Sequence, residues 1–337
     1  MKAFIVHSPK NSSIEEVENP IAQVGQVVVQ VARVGVCGTD VEFFNGEMPY
    51  LHSGQAKFPM RLGHEWCGTV ISVGPDTDKS WIGKRVTGDT MLGCRTCKRC
   101  LSGIQHLCAD RHEIGVRMGW SGALAEQLLV PVTALYELPD SIDDAMGALI
   151  EPGGNALRAA QAALAGPGKN ILIFGSGTIG LLAAQFAMAM GATVHMISLD
   201  TKTLALAKDL GISEVSQEFI PSADGFDAVI DATNSHQVPA QAVEAVEPGG
   251  RLVLIGFAGS PSLFDSRRLV LKDVTAVGIL SASPAIKTVI DYYASGKIDP
   301  RPLVAATVGL AMTADVLSGK KISGASNGPK ILIDPTI

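Results

Sequence analysis

The stretch that decides the fold is NILIFGSGTIGLLAAQFAMAM, residues 170–190. NILIF is a continuous apolar run, typical of a strand buried on both faces, and LLAAQFAMAM has the character of a helix. Between them lies the hexapeptide Gly175-Ser176-Gly177-Thr178-Ile179-Gly180. Its first glycine permits a tight turn, its second lets the backbone approach a pyrophosphate, and its third lets helix pack on strand. The context predicts a dinucleotide site at the helix N-terminus, and a tight turn without a ligand is the alternative.

The residues that follow continue this alternation of strands and helices. The strand-like runs are TVHMISL, FDAVIDAT, GGRLVLIG and VTAVGIL, and the helix-like runs are LALAKDLG and PAQAVEAV. A βαβ series of this kind predicts a doubly wound parallel sheet of the Rossmann type, which we assign to residues 153–296. From about residue 297 the alternation is lost, and we expect this last segment to return to the first domain.

The N-terminal half has a different pattern. Its short β-like runs are KAFIVHS, QVVVQVARVGV, CGTVISVG, KRVTGD and GALAEQLLVP. Glycine, proline and aspartate punctuate these runs, which predicts a barrel-like β unit. The chain of 337 residues is longer than the roughly 250–300 residues at which one core stops growing. We therefore predict an α/β protein of two domains, with residues 1–152 and 297–337 forming the first.

Composition narrows the possible partners. Charged residues make up 18% of the chain, below the roughly 25% of an average domain, which suggests much buried surface, some of which could lie between subunits. The net charge of -6 and the lack of a basic cluster argue against nucleic acid. No apolar run reaches the roughly 18 residues of a membrane span, and MKAFIVHSPK does not resemble a signal peptide. We expect a cytoplasmic protein, in which cysteines serve metals or catalysis more often than disulfides.

Four of the 6 cysteines are clustered in a lobe at residues 93–108. Their spacing is C-x2-C-x2-C-x7-C, and the members are Cys94, Cys97, Cys100 and Cys108. Four thiolates close a tetrahedral zinc site and leave no position open, so the site would be structural. Free or disulfide-paired thiols are the alternative.

The second strand of the βαβ series should end in an acid that binds the ribose of NAD. That position is Ser198, with Asp200 and Lys202 just beyond it. A serine does not repel a 2′-phosphate, and a lysine pairs with one, so the pattern slightly favours NADP. Asp200 could instead reach the ribose of NAD, and Lys202 could be a solvated surface lysine. We also assign Thr233, after FDAVIDAT, to the nucleotide site.

Possible ligands for a second metal are dispersed along the chain. GVCGTD contains Cys37, RLGHEWCGTV contains His64 and Glu65, and LIEPGGNAL contains Glu151. Thiolate, imidazole and carboxylate are all zinc ligands. Taken singly each has a plain structural interpretation, and spacing alone does not join them.

Five motifs in order make the chain resemble the zinc-dependent medium-chain dehydrogenases, the family of alcohol, threonine and polyol dehydrogenases. They are GVCGTD, GHEWCGTV, the four-cysteine lobe, EP at the domain junction and GSGTIG, and they span essentially the full length. The resemblance implies a GroES-like β-barrel catalytic domain, a Rossmann domain, two zinc ions per subunit and a homodimer or homotetramer. It implies a catalytic zinc held by Cys37 and His64, with Glu65 and Glu151 exchanging as further ligands and Asp40 bonding the free nitrogen of His64.

The resemblance also implies a reaction. Zinc polarises the oxygen of an alcohol or ketone, and hydride passes to or from NAD(P). Thr39 starts a proton relay, but Glu42 stands where many members carry the histidine that ends it. CGTDxE is similar to archaeal glucose dehydrogenases, although Glu42 could simply be a surface carboxylate. The substrate class implied is a secondary alcohol of a sugar, a polyol or a similar metabolite.

Two alternatives remain from the sequence. One is an NADPH-dependent reductase of aldehydes or activated C=C bonds, and the other is a redox-silent protein that binds nucleotide or zinc. The complete ligand set argues against a zinc-free reductase. The presence of Thr39 together with the ligands Cys37, His64 and Glu151 argues against the redox-silent protein.

Several further residues have plainer interpretations. We expect Cys67 and Trp66 in the core, and Trp120 either in packing or, with Arg117, lining the substrate cleft. His52, His106 and His112 are expected at the surface or in loops rather than as ligands.

Overall fold

The computed structural model describes residues 1–220 and 225–337. Its strands follow the apolar runs of the sequence closely. In chain order they are β1 (Lys2–Ser8), β2 (Asn11–Glu16), β3 (Gln26–Gly35), β4 (Glu65–Val73), β5 (Arg85–Gly88), β6 (Met91–Leu92), β7 (His112–Glu113), β8 (Gln127–Pro131), β9 (Leu135–Glu137), β10 (Asn170–Phe174), β11 (Thr193–Ile197), β12 (Glu214–Ser216), β13 (Phe226–Asp231), β14 (Val246–Leu254), β15 (Thr275–Gly278), β16 (Val304–Gly309) and β17 (Lys330–Asp334).

The helices lie in both halves of the chain. They are α1 (Gly38–Asn45), α2 (Pro49–His52), α3 (Lys98–Leu101), α4 (Asp144–Ala148), α5 (Ile150–Ala162), α6 (Thr178–Ala189), α7 (Thr201–Asp209), α8 (Val238–Ala245), α9 (Arg267–Leu271), α10 (Ile286–Ala294) and α11 (Thr313–Leu317). Single turns of 3-10 helix occur at Lys79–Trp81, Gln105–Leu107, Val132–Ala134, Ser283–Ala285, Arg301–Leu303 and Leu310–Met312. Within the described ranges no helix is long and apolar enough to cross a membrane.

The βαβ series forms one parallel sheet. Its strand order is β12-β11-β10-β13-β14-β15, and every neighbouring pair is parallel. The order reverses between β10 and β13, which makes a crevice for a ligand at the carboxyl ends of these strands. Buried aliphatic side chains of α5, α6 and β10 pack together in the largest core cluster. The doubly wound α/β prediction is confirmed.

The N-terminal half forms a mostly antiparallel sheet of order β16-β17-β3-β4-β5-β9, with β8 also paired to β3. The last two strands come from the end of the chain, where Leu332 pairs with Gly35. The boundary that we predict between residues 152 and 153 falls inside helix α5, so a continuous helix connects the two sheets. Our domain boundaries stay a prediction.

Candidate active site

The pairing of β3 with β4 brings together the dispersed metal ligands. Gly35, the last residue of β3, pairs with Glu65, the first residue of β4. Cys37 lies two residues after the end of β3 and immediately before α1, while His64 immediately precedes β4. One ligand atom from each of Cys37, His64 and Glu65 lies within 4.8 Å of the others. A thiolate, an imidazole and a carboxylate at this spacing suit a zinc ion.

Asp40 supports this group from behind. It is fully buried, and it accepts hydrogen bonds from the backbone N–H groups of Cys37 at 2.9 Å and Gly63 at 3.2 Å. Its Oδ1 lies 3.4 Å from Nδ1 of His64, which is longer than a well-formed hydrogen bond. Burial lowers the pKa of His64, but the charges and hydrogen bonds of Asp40 and Cys37 together outweigh burial and raise this pKa well above its ordinary value. Because Nδ1 faces Asp40, Nε2 is the nitrogen available to a metal.

Glu65 has a buried cationic partner that sequence reasoning missed. Nζ of Lys330, the first residue of β17, donates to Oε2 of Glu65 at 2.6 Å and to the carbonyl oxygen of Val36 at 2.8 Å. The side chains of Lys330 and Glu65 are 3% and 2% exposed. No spacing signal reveals this contact, because 265 residues separate the partners.

Gly35 makes room for the Glu65 carboxylate. A Cβ atom at position 35 would lie 2.1 Å from Oε2 of Glu65, far inside contact distance. The absence of a side chain at Gly35 is therefore a steric requirement of the ion pair beside it.

Glu151 lies in the first turn of α5 and is 8% exposed. Its Oε1 accepts a hydrogen bond from Nδ2 of Asn155 at 2.9 Å. Burial raises the pKa of Glu151 to about 7, partly opposed by the charge of His64. The electrostatic influence of His64 and Glu65 places Glu151 near the group, although it is not one of the three residues within 4.8 Å.

Thr39 and Glu42 both lie on α1, directly after Cys37. Both are partly exposed, so a solvent-directed chain of proton carriers could begin here. Burial, with the nearby charge of Glu47, raises the pKa of Glu42. A carboxyl group with a raised pKa exchanges protons nearer to neutral pH, which suits the exit of a relay.

Glu113 is a second residue that sequence reasoning missed. It ends β7, is 9% exposed, and its Oε2 is buried without a hydrogen-bond partner among the described residues. Burial raises the pKa of Glu113, and the charges of His64, Arg111 and Arg117 partly oppose this. The only signal in the sequence was an acid shortly after the cysteine lobe.

The four lobe cysteines converge as their spacing predicted. Their Sγ atoms lie within 4.8 Å of one another, with Cys94–Cys100 at 3.9 Å and Cys97–Cys108 at 3.8 Å. Sulfurs at the corners of a tetrahedron with Zn–S bonds of about 2.3 Å are about 3.8 Å apart, so the group fits zinc. Hydrogen bonds, first from Thr96, lower the pKa of Cys94 to about 6, which favours the thiolate.

The glycine loop has the geometry of a phosphate cradle. Gly175 has φ of 99°, which favours glycine, and a Cβ at Gly180 would lie 1.9 Å from the carbonyl oxygen of Gly175. Gly177 immediately precedes α6, and a Cβ there would meet nothing within 4 Å. Two glycines are thus required by the fold. The open space at Gly177, before Thr178 and Ile179 begin α6, leaves room for a phosphate group to approach the backbone.

The other residues assigned to the nucleotide lie beyond the carboxyl ends of β11 and β13, the two strands that flank β10. Ser198 follows β11, and Thr233 follows β13 and donates through Oγ1 to Asp231 at 2.7 Å. Oδ1 of Asp200 accepts the backbone N–H of Lys202 at 2.9 Å and so caps α7. Lys202 is exposed and has no ion pair among the described residues.

The remaining residues follow the plainer interpretations with one correction. Cys67 and Trp66 are buried, and Sγ of Cys67 donates to the carbonyl oxygen of Asp144. His52 and His112 are exposed. His106 lies in the 3-10 turn Gln105–Leu107, and its side chain is 3% exposed, so the surface alternative was wrong for it whereas the loop alternative holds.

Arg117 and Trp120 were the two candidates for the substrate cleft. Both line a groove whose lining includes none of Cys37, His64, Glu65 and Glu151. The groove does not coincide with the candidate active site.

The family follows from comparison with known proteins. The alcohol dehydrogenase GroES-like domain matches residues 23–140, and the zinc-binding dehydrogenase domain matches residues 178–295. The chain belongs to the family of zinc-type medium-chain alcohol dehydrogenases. These proteins are oxidoreductases.

Among individual proteins, L-threonine 3-dehydrogenase of Marinomonas sp. (strain MWYL1) is 30% identical over 285 residues, which cover 81% of this chain and 82% of the relative. A putative zinc-binding dehydrogenase from Sinorhizobium meliloti 1021, bound to NADP, has a TM-score of 0.90 at 27% identity and covers 99% of each chain. An alcohol dehydrogenase from Escherichia coli CFT073, complexed with NADH, has a TM-score of 0.90 at 25% identity and also covers 99% of each chain.

Proposed function

We propose that this protein is a zinc-dependent NAD(P)-linked dehydrogenase that interconverts a secondary alcohol and its ketone. The observation that carries the proposal is the approach of Cys37, His64 and Glu65 to within 4.8 Å, with Glu151 nearby. We assign this group to residues 1–152 and 297–337 as the catalytic domain, and the glycine loop to residues 153–296. Both candidate metal groups have the donor types that zinc takes, which supports two zinc ions per chain.

Each residue then has a defined task. When bound, zinc supplies a Lewis acid at the reacting oxygen and the nicotinamide supplies the site of hydride transfer. Asp40 orients His64, and Asn155 holds the Glu151 carboxylate. Thr39 accepts the proton of the reacting hydroxyl and passes it toward Glu42 and solvent, while α6 binds the pyrophosphate through its first backbone N–H groups.

We propose that the substrate carries a second hydroxyl group, as a sugar or polyol does. Support comes from Glu113, whose buried carboxylate lacks a partner in the described structure and lies close enough to His64 for their charges to interact. A substrate hydroxyl that donates to Glu113 would satisfy this acceptor and orient the carbinol. The Marinomonas relative is named L-threonine 3-dehydrogenase, and threonine likewise carries polar groups besides the hydroxyl group that reacts.

The nucleotide is the finer question, and we propose NADP. The carboxylate of Asp200 already caps α7, which leaves Ser198 and Lys202 to meet the adenosine ribose. A helix cap contributes about 1 kcal/mol, so recruiting Asp200 to a ribose would give up that stabilisation. Similar structures bound to NADP and to NADH both exist, so the comparison leaves the preference to these three residues.

We also propose a homodimer or homotetramer. Strand β15 ends the order of the parallel sheet and has exposed residues, and the preceding α9 exposes Val270 and Leu271 by 80% and 83%. An uncovered sheet edge beside exposed aliphatic side chains is a surface that proteins usually cover. Sedimentation equilibrium of the wild type and of Val270→Asp would test this, since a charge there should favour the monomer.

The activity is tested with a panel of sugars, polyols, amino alcohols and simple secondary alcohols, each with NAD and NADP. Cys37→Ala and His64→Ala should abolish turnover but leave nucleotide affinity nearly unchanged, because the glycine loop is built on a different sheet. Cys67→Ala is the matched control, because it removes a buried thiol outside the metal group. Turnover by Cys37→Ala at the rate of wild type would refute the assignment.

A further inference from the structure

A groove of about 850 Å³ crosses the outer side of the N-terminal half. Strand β1, the loop before His64 and the turn after β7 contribute to its walls. None of the candidate zinc or nucleotide residues lines it. The volume is in the range of pockets that take small organic ligands, so the groove has room for a metabolite-sized molecule.

Arg61 is the unusual residue in this groove. It lines the groove, yet no hydrogen bond or ion pair reaches its guanidinium group from the described residues, and its Nε is buried. Burial lowers the pKa of Arg61 to about 10, which reflects the loss of water around the charge. A desolvated charge without a counter-charge is unfavourable, so proteins normally place an anion beside it.

The surrounding charges are mainly positive. Arg117 and Lys57 also line the groove, against one acidic residue, Glu18. Arg117 donates through Nε to Gln55 at 2.7 Å and through Nη1 to the carbonyl oxygen of Arg111 at 2.8 Å. These bonds hold a second guanidinium group in place beside the groove. The charge of Arg117 also interacts with the buried Glu113 carboxylate, so Arg61 is the guanidinium group that lacks a counter-charge in the described ranges.

The rest of the lining is apolar and aromatic. Trp120 presents its ring, while its Nε1 is already bonded to the carbonyl oxygen of Leu129 at 3.0 Å. Ile5, Met60 and Val116 add aliphatic surface. A ligand that matches this lining has an apolar or aromatic body and an oxyanion that the planar guanidinium group can bind through two hydrogen bonds.

We propose that the groove is a binding site for a small organic anion, with Arg61 binding its carboxylate or phosphate group and Trp120 contacting its apolar body. The site is separate from the candidate active site, so the proposal does not depend on the substrate or on turnover. Carboxylates and phosphate esters share the chemistry that Arg61 recognises, and the probes below distinguish them.

The test uses the zinc-loaded full chain with saturating nucleotide, so that no probe occupies the nucleotide site. Benzoate, phenyl phosphate and the neutral benzamide are titrated while tryptophan fluorescence is recorded. Trp120 is the tryptophan in the groove, so Trp120→Phe should remove the signal. We expect saturable binding of at least one anion, and the tighter of the two identifies the oxyanion class.

The variants decide the role of Arg61. Arg61→Ala should weaken the anion about ten- to a hundredfold, the range for losing a charge-assisted hydrogen-bond pair. Arg61→Lys keeps the charge but loses the planar fork, so its affinity should lie between those of wild type and Arg61→Ala. Arg267→Ala removes an exposed arginine that pairs with Asp265 and should bind as wild type does.

Three results would overturn the proposal. One is the absence of saturable binding for both anions, and another is binding of benzamide as tight as that of benzoate. The third is an unchanged anion affinity in Arg61→Ala. A change in sedimenting mass in Arg61→Ala, without anion binding by wild type, would instead assign the guanidinium group to a contact between copies of the chain.

Discussion

Replacing Lys330 by methionine should be among the most damaging single changes in the N-terminal half. Lys330 and Glu65 form an ion pair at 2.6 Å with side chains 3% and 2% exposed. Removing one partner leaves the other charge buried and unpaired, which costs about 3–5 kcal/mol. The same change also removes the hydrogen bond to the carbonyl oxygen of Val36. We expect the free energy of unfolding of Lys330→Met to fall by this amount at neutral pH.

The assay is urea denaturation at a fixed excess of zinc, followed by tryptophan fluorescence. All 3 tryptophans, Trp66, Trp81 and Trp120, lie in the N-terminal half, so the signal reports unfolding of the sheet that holds the ion pair. The matched control is the double variant Lys330→Met/Glu65→Gln, which removes both charges. A double-mutant cycle should return a coupling energy of about 2 kcal/mol or more. The buried ion pair would be refuted as a stabilising contact if Lys330→Met lowers the free energy of unfolding by less than about 1 kcal/mol. It would also be refuted if the effects of the two single substitutions simply add up to that of the double variant.

Five further outcomes are expected. Thr39→Val should lower kcat by roughly 10²-fold, whereas Thr39→Ser retains it, and full activity of Thr39→Val would exclude the relay. Ser198→Asp should shift the ratio of kcat/KM with NAD to kcat/KM with NADP toward NAD by about ten- to a hundredfold. The NADP proposal would be contradicted if the wild type prefers NAD and Asp200→Ala removes that preference. Glu113→Gln should lower kcat/KM about tenfold for a polyol but not for a simple alcohol. Burial raises the pKa of Glu113 above its ordinary 4.5, so the ionised carboxylate destabilises the folded protein as the pH rises. Glu113→Gln should therefore be more stable than wild type, and the difference should be larger at pH 8 than at pH 5. An equal difference in stability at both pH values would contradict this reasoning. Cys97→Ser should reduce bound zinc from two ions to one per chain by metal analysis and destabilise the protein by several kcal/mol, whereas Cys67→Ser keeps both ions.

Local patterns in the sequence predicted whatever depends on neighbours along the chain. The strand NILIF, the glycine turn and the helix after it are decided by hydrophobic period and by backbone freedom within a few residues, and the structure confirms them as β10, the turn and α6. The cysteine lobe is equally local, because its four thiols lie within 15 residues and a C-x2-C turn brings its sulfurs together.

The metal group required more than spacing. Cys37 and His64 are 27 residues apart, and they meet because β3 and β4 pair in one register, with Gly35 opposite Glu65. A shift of one residue would direct these side chains to the other face of the sheet. Only the resemblance to a family joined these residues beforehand, since no local rule specifies strand register.

Only the tertiary structure decided the ion pair of Glu65 with Lys330. It also decided that, among residues 1–220 and 225–337, Oε2 of Glu113 and the guanidinium group of Arg61 have no partner. Lys330 reaches Glu65 because β17, from the end of the chain, joins the sheet beside β3. Whether a charge is buried, and whether a counter-charge stands beside it, depends on distant segments that pack around it. Sequence patterns describe the period of burial along one segment, whereas the surroundings of a single charged group arise only when all the segments are in place.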